Sequence, residues 1–299
     1  MSVPMHQLPQ QQPSVWLPAS VEEALLLKHK WGDRAALVAG GTWLRTRWES
    51  GLSPMPDHLI SLGRIPSLSA LTVDSIGNIH IGPALPLSDL MTNPLAGATC
   101  GLLLRACAEI AAPSVRNLAS IGGNVMTRTG DLIPALLVLG AQVSCSGGNA
   151  ERTLPLAKWL VTGPAPNEVM TAIVISPSGE AAAEFYLKVG RREAFTPSVV
   201  TVAGRLSLSE DGTIRALAIA AGGGNAIPAR FEELEAAVTG QALTKPLLQS
   251  LHAGILEQFN AVADDYAGVP YRKQTAANLI VSELYKAWRK GGGSDVSQP

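Results

Sequence analysis

The stretch NLASIGGNVMTRTGD (Asn117–Asp131), continued by LIPALLVLGAQV (Leu132–Val143), decides how this chain is read. It joins a Gly-Gly turn, flanked by Ser120 and Asn124, to an apolar run with Asp131 at the seam. Upstream, ALVAGGTWL (Ala36–Leu44) has the same layout: an apolar strand, Gly40-Gly41, then Thr42. Consecutive glycines permit positive φ and let a ligand approach bare backbone. Successive N–H groups then share one concavity that suits a phosphate oxygen. Such a turn can equally do no more than reverse the chain. Two of them, each beside neutral donors and neither followed by Lys, point to a grip on a pyrophosphate. The missing G-K-[ST] argues against a P-loop, and the missing G-x-G-x-x-G against a Rossmann site. A third run, AAGGGNAIPAR (Ala220–Arg230), leads into Pro228 and reads as a strand end and loop, with ligand binding as the lesser reading.

Outward from these turns the chain alternates short strands and helices without regular βαβ order, so the class is α+β. Ser20 and Glu23 form a capping box that opens a helix ending at Gly32. AALVAGG and HLISL are strands, and SALTVDSIGNIHIGPA is a hairpin turning at Gly77-Asn78. PLSDLMTNP restarts a helix with Ser88 as its cap, and GLLLRACAEIAAP is an amphipathic helix that runs to Pro113. Asp131 caps the helix LIPALLVLGA, with Pro134 in the tolerated first turn. AQVSCSG, ERTLPLAKWL and VMTAIVIS follow as strand, strand-to-helix and strand, and PSGEAAA (177–183) is the linker. Beyond it lie the strand AEFYLKVGRRE, a strand pair turning at Asp211-Gly212, and helices in FEELEAAVTG, in PLLQSLHAGILEQFNAV and from Tyr271 to Arg289.

Composition narrows the function classes. With 299 residues the chain suits two or three subdomains. Only 16% of residues are charged and mean hydropathy is +0.19, yet no apolar run reaches the length of a membrane span. Such a chain hides surface in a core, a partner or a ligand, which favours a subunit of something larger. A net charge of -1 without a basic stretch speaks against nucleic acid. Cys100, Cys107 and Cys145 lack C-x-x-C spacing and cannot supply four thiolates to an iron–sulfur cluster. The five histidines show no metal pattern. An odd thiol count and the absence of a signal sequence suggest a cytoplasmic setting. Residues 1–13 read as a disordered arm and 291–299 as a tail.

Taken together, the motifs resemble the FAD-binding subunit of the molybdenum hydroxylases, the family of xanthine dehydrogenase and carbon monoxide dehydrogenase. WLPASVEEAL resembles its opening P-x-S-x-x-E-A, LVAGGTWL its first phosphate loop, and VRNLASIGGNV with DLIPALLVLGAQV its RNxASxGGN and downstream D-x-x-P-A-L-L segment. YLKVGRRE and AIAAGGGNAIPAR resemble its later F-x-K-x-x-R-R and G-G-x-x-x-x-P-x-R stretches.

The resemblance implies a two-subdomain FAD-binding fold of the vanillyl-alcohol-oxidase (PCMH) type over 14–176, with a break near 60–70. A smaller C-terminal α+β domain over 183–290 follows. It implies that Val38, Ala39, Gly40, Gly41, Thr42, Trp43 and Leu44 form one phosphate loop, and Ser120, Gly122, Gly123 and Asn124 the other. Asp131 helps fix FAD, Ile110 and Met170 are apolar neighbours of the cofactor, and Lys188 stands at the isoalloxazine. Without the resemblance Lys188 reads as a solvated charge at a strand end. No catalytic residue is expected here.

The resemblance further implies an electron-transfer subunit in a heterotrimer, usually paired. A 2Fe-2S small subunit supplies electrons, a molybdopterin-binding large subunit oxidises the substrate, and NAD⁺ or another acceptor receives the electrons. The alternatives are a stand-alone FAD oxidoreductase and an assembly protein that has lost FAD. Two departures stand out. Trp43 fills a position that is usually Asp, and VMTRTG (Val125–Gly130) is two residues shorter than the family's segment, with Arg128 as a candidate phosphate contact.

Overall fold

The computed structural model describes residues 12–148, 151–177, 179–192, 197–291 and 293. Most of the stretch expected as an N-terminal arm, residues 1–11, and most of the tail lie outside these. Three sheets carry the chain; the strands His58–Ser61, Ile79–Ile81 and Ala226–Arg230 show the alternating burial of a strand with one covered face, whereas Ser198–Leu208 is buried along most of its length.

The first sheet is parallel. β1 (Ser14–Trp16) pairs with β3 (His58–Ser61), which pairs with β2 (Ala35–Val38). β1 thus takes up the residues that directly follow the expected arm. α1 (Val21–Trp31) opens on Ser20, whose hydroxyl accepts from the Glu23 amide at 3.2 Å. The Glu23 carboxylate reaches back one residue beyond the cap, to the amide of Ala19. Gly32, at φ +52, ends the helix. α2 (Thr42–Glu49) leaves directly from the glycine loop.

The second sheet is antiparallel, in the order β4 (Leu71–Val73), β5 (Ile79–Ile81), β8 (Val169–Ile175), β6 (Gln142–Ser146), β7 (Glu151–Pro155). Asp74 closes its first hairpin by accepting from the amides of Ile76 and Asn78, and Gly77 sits at φ +89. Seven short helices belong to this half: α3 (Leu87–Thr92), α4 (Pro94–Thr99), α5 (Gly101–Ala108), α6 (Pro113–Arg116), α7 (Ile121–Met126), α8 (Ile133–Val138) and α9 (Leu156–Thr162), and all but α6 add buried residues to the hydrophobic cluster they share with the sheet. Every residue of α8 is buried, as expected of a helix apolar all round. It packs against the third sheet as well as its own neighbours.

Three sequence expectations change here. Ser88 lies inside α3, whose N-cap is Pro86. The helix expected to run to Pro113 stops at Ala108, because Ala111 turns to φ +43 and Pro113 opens α6 instead. The carbonyls freed by that break converge on one guanidinium: Arg116 Nη1 donates to Ile110 O at 2.7 Å and Ala111 O at 2.6 Å. Asp131 does not cap α8, whose N-cap is Leu132 with no side-chain bond.

The third sheet is an antiparallel meander, β9 (Ala183–Gly190), β10 (Ser198–Leu208), β11 (Ile214–Gly223) and β12 (Ala226–Arg230), in the order β12-β11-β10-β9. α10 (Glu232–Val238), α11 (Lys245–Gln258) and α12 (Val269–Lys290) share a separate hydrophobic cluster with it. Among the described residues no helix is long and apolar enough to cross a membrane.

Candidate cofactor-binding cleft

A cleft of about 660 Å³ opens where the three sheets meet, within the range of small-molecule sites. Both glycine segments line it, and they touch each other. A Cβ on Gly40 would lie 1.7 Å from Leu118 O, so only glycine lets the first loop pack on the backbone of the second. Gly41, at φ +67, then starts α2 without a side-chain cap. The amides of its first turn are therefore free for a ligand, and they carry the positive end of the helix dipole. The first turn holds no acid, because Trp43 stands there. Its indole lines the cleft, is 47% exposed and has the Arg47 guanidinium 4.8 Å from its ring centre.

The second segment is built differently from the expected turn. Gly122 and Gly123 are the first turn of α7, capped by Ser120, whose hydroxyl accepts from Gly123 N at 3.1 Å. Gly122 N donates to Pro83 O at 2.9 Å, and a Cβ there would strike Pro83. These amides are used inside the protein, so α7 offers its dipole and side chains where α2 offers bare N–H groups. Asn124 Oδ1 accepts from Leu132 N at 3.1 Å and lies against Gly130, folding VMTRTG back on itself. Arg128, at φ +60, points away: its Nε and Nη2 donate to Leu160 O at 3.0 and 2.5 Å. It closes the C-terminal end of α9, where helix carbonyls lack partners, and does not line the cleft.

Asp131 and Lys188 meet inside the cleft at 2.9 Å. The Lys188 side chain is 6% exposed, so it is no solvated strand end. Its ammonium also donates to Glu109 O at 2.8 Å, and Ser198 Oγ donates to the other Asp131 oxygen at 2.6 Å. Tyr186 holds the Asp131 carbonyl at 3.0 Å. Ile110 and Met170 stand on the apolar wall. Of the residues expected from sequence, Ala39 to Leu44, Ile110, Ser120, Gly122 to Asn124, Asp131, Met170 and Lys188 all line this one cleft. Val38 does not; its Cγ1 sits beneath Gly41. Sequence reasoning set aside Gly224 and Asn225, whose glycine run reaches the cleft, and passed over Glu168, Arg191 and Ser198. Of these the third glycine run and Arg191, which lies in the quoted YLKVGRRE stretch, carried a usable signal.

The family model for the FAD binding domain in molybdopterin dehydrogenase matches residues 10–177. The chain belongs to that FAD-binding family. Residues 185–287 match the CO dehydrogenase flavoprotein C-terminal domain. The chain is 28% identical to the carbon monoxide dehydrogenase medium chain of Hydrogenophaga pseudoflava, over 91% of this chain and 96% of that one. It is 25% identical to the nicotinate dehydrogenase FAD-subunit of Eubacterium barkeri, over 88% and 92%. A solved chain of the Hydrogenophaga pseudoflava carbon monoxide dehydrogenase lacking its Mo-pyranopterin moiety superposes with a TM-score of 0.86 at 27% identity, over 93% of this chain and 98% of that chain. The architecture is thus the α+β FAD-binding (PCMH-type) fold of this flavoprotein family, and its cofactor is FAD. The cleft fits such a group: uncapped amides and a second helix dipole suit a pyrophosphate, and the apolar wall suits ring systems.

Proposed function

We propose that this chain is the electron-transfer flavoprotein of a molybdenum hydroxylase complex. It works beside a large subunit that holds molybdopterin and a small subunit that holds 2Fe-2S clusters, in a cytoplasmic setting. The observation that carries this reading is the convergence of both glycine segments and the Lys188–Asp131 pair on one cleft. Bound there, FAD would supply the means of accepting single electrons from an iron–sulfur partner and passing pairs to NAD⁺ or another acceptor.

The chain's own residues bind and orient. Gly40 to Leu44 would hold the pyrophosphate through the amides of α2, with the start of α7 at Ser120, Gly123 and Asn124 facing it across the cleft. Ile110 and Met170 exclude water from the rings. Lys188 keeps a buried positive charge beside the flavin, fixed by Asp131 and the Glu109 carbonyl. No histidine lines the cleft among the described residues, and its carboxylates, Asp131 and Glu168, are both ion-paired. That lack of a spare proton carrier suits an electron relay and disfavours a flavoenzyme with its own substrate. Xanthine dehydrogenase-type purine oxidation is one member of this class; the choice of substrate resides with the molybdopterin chain.

Purification of the native protein from its source tests the reading. Flavin bands with co-purifying molybdenum and iron are expected. Flavin alone with turnover of a substrate would replace the reading with a stand-alone oxidoreductase, and a colourless protein with a binding or assembly role.

A further inference from the structure

The charges on the cleft wall do not cancel one for one. Lys188 is matched by Asp131 at 2.9 Å, and Glu168 by Arg152 through two bonds of 2.7 Å. The remaining cation on the wall among the described residues is Arg191. It shares one carboxylate, that of Asp264, with Arg272: Arg272 Nη2 lies 2.6 Å from Oδ1 and Arg191 Nη2 3.9 Å from Oδ2. Two guanidinium groups on one carboxylate leave one positive charge. Arg272 is fully buried, donates to the carbonyls of Val199 and Ala267, and packs against Gly224. Its bonds are spent on structure. Arg191 is 29% exposed and faces the cleft, so the excess charge resides there.

The same segment fixes the orientation of Arg191. Its guanidinium lies 3.4 Å from the centre of the Tyr266 ring, a cation–π contact over the ring face; a guanidinium held by its face can still meet a planar or tetrahedral anion with its in-plane N–H groups. Desolvation, the largest influence on Asp264, pushes its pKa up. The Tyr266 and Ala267 amides together with Arg272 outweigh it and hold the group below the usual carboxylate range. Asp264 therefore stays charged at neutral pH.

We propose that Arg191 is the receptor for a nucleotide phosphate entering the cleft, and that Tyr266 and Asp264 are its positioning residues, anchored by Arg272. The inference rests on the cofactor reading above and assigns a second anion contact beyond the glycine segments. A phosphate there belongs either to FAD or to a dinucleotide acceptor, and two titrations separate these sources. Apo-protein is titrated with FAD, and FAD-loaded protein with ADP-ribose, both by calorimetry. The variants are R191M, Y266A, Y266F and R191M/Y266A; Tyr266 is 61% exposed, so its truncation leaves the core intact.

In one titration R191M and Y266A are each expected to weaken binding about tenfold, with Y266F near wild type, and the double variant no worse than R191M alone. The salt dependence falls with the affinity. The titration that responds names the source. If wild type binds FAD but R191M changes neither titration, the receptor is overturned. If the losses of R191M and Y266A simply multiply, the positioning role is overturned. A wild type that binds no FAD overturns the cofactor reading itself and the inference with it.

Discussion

Gly40 shows how one residue couples the two halves of the cleft. A methyl group there would collide with Leu118 O, which is backbone and cannot rotate away. Gly40→Ala is expected to destabilise the protein by about 3 kcal/mol and to lower FAD retention, read by thermal unfolding and by flavin absorbance after gel filtration. Unchanged stability would show that the loops move apart freely. Lys188 makes a second residue-scale case. Lys188→Met leaves the half-buried Asp131 carboxylate with Ser198 alone and should cost about 2 kcal/mol in urea unfolding. Adding Asp131→Asn removes the orphaned charge and should restore much of that loss. If the double variant is no more stable than Lys188→Met, the pair is not the reason for the burial. The family resemblance placed Lys188 at the cofactor, whereas local pattern alone read it as a solvated charge, because its partner Asp131 lies far away in sequence and no local spacing announces the pair.

At the scale of elements, the segment Val125–Gly130 was the place where the family pattern fitted least, and the structure shows how the shorter chain is accommodated. Asn124 pins its return at Leu132, and Arg128 anchors its tip on α9. Arg128 holds a left-handed φ that costs a non-glycine residue about 1 kcal/mol. Arg128→Ala keeps that strain and loses the anchor, whereas Arg128→Gly relieves the strain, so Gly should be the milder change by about 1 kcal/mol. Neither should alter the FAD dissociation constant more than about twofold; a larger change would return Arg128 to the cofactor.

The Arg152–Glu168 pair ties β7 to the segment entering β8. Its bond to Arg152 holds the Glu168 carboxyl below its ordinary 4.5. A depressed acid stabilises the fold above its unfolded value and loses that contribution as pH falls through the folded one. Wild type and Arg152→Met should therefore differ in stability at neutral pH and converge below about pH 4.5 in urea melts. A difference that persists in acid would assign the effect to packing. The strands and most helices were readable from alternation, caps and turn residues. The break at Ala111 was not, since it depends on Arg116 gathering carbonyls across a bend that has no glycine.

Across the whole molecule, the site's membership was largely readable because its motifs are contiguous runs on one chain. The contributions of Gly224, Asn225 and Arg191 were hidden because they depend on where the third sheet docks. Burial of the three thiols is a global property as well. Desolvation raises all three pKa values, that of Cys107 to about 12, so the native protein should resist a thiol-specific disulfide reagent at pH 8 until denaturant is added. Rapid reaction of any of them in the native state would contradict their burial in the hydrophobic cluster between the second sheet and its helices.

The central claim is that two glycine-led helix starts and a largely shielded Lys–Asp pair hold one FAD. Flavin released by acid from the natively purified chain, measured against its protein concentration, tests this most directly. One FAD per chain in wild type, with a clear loss in Gly40→Ala, is the result predicted. A wild-type chain without flavin that also fails to take up added FAD would contradict it.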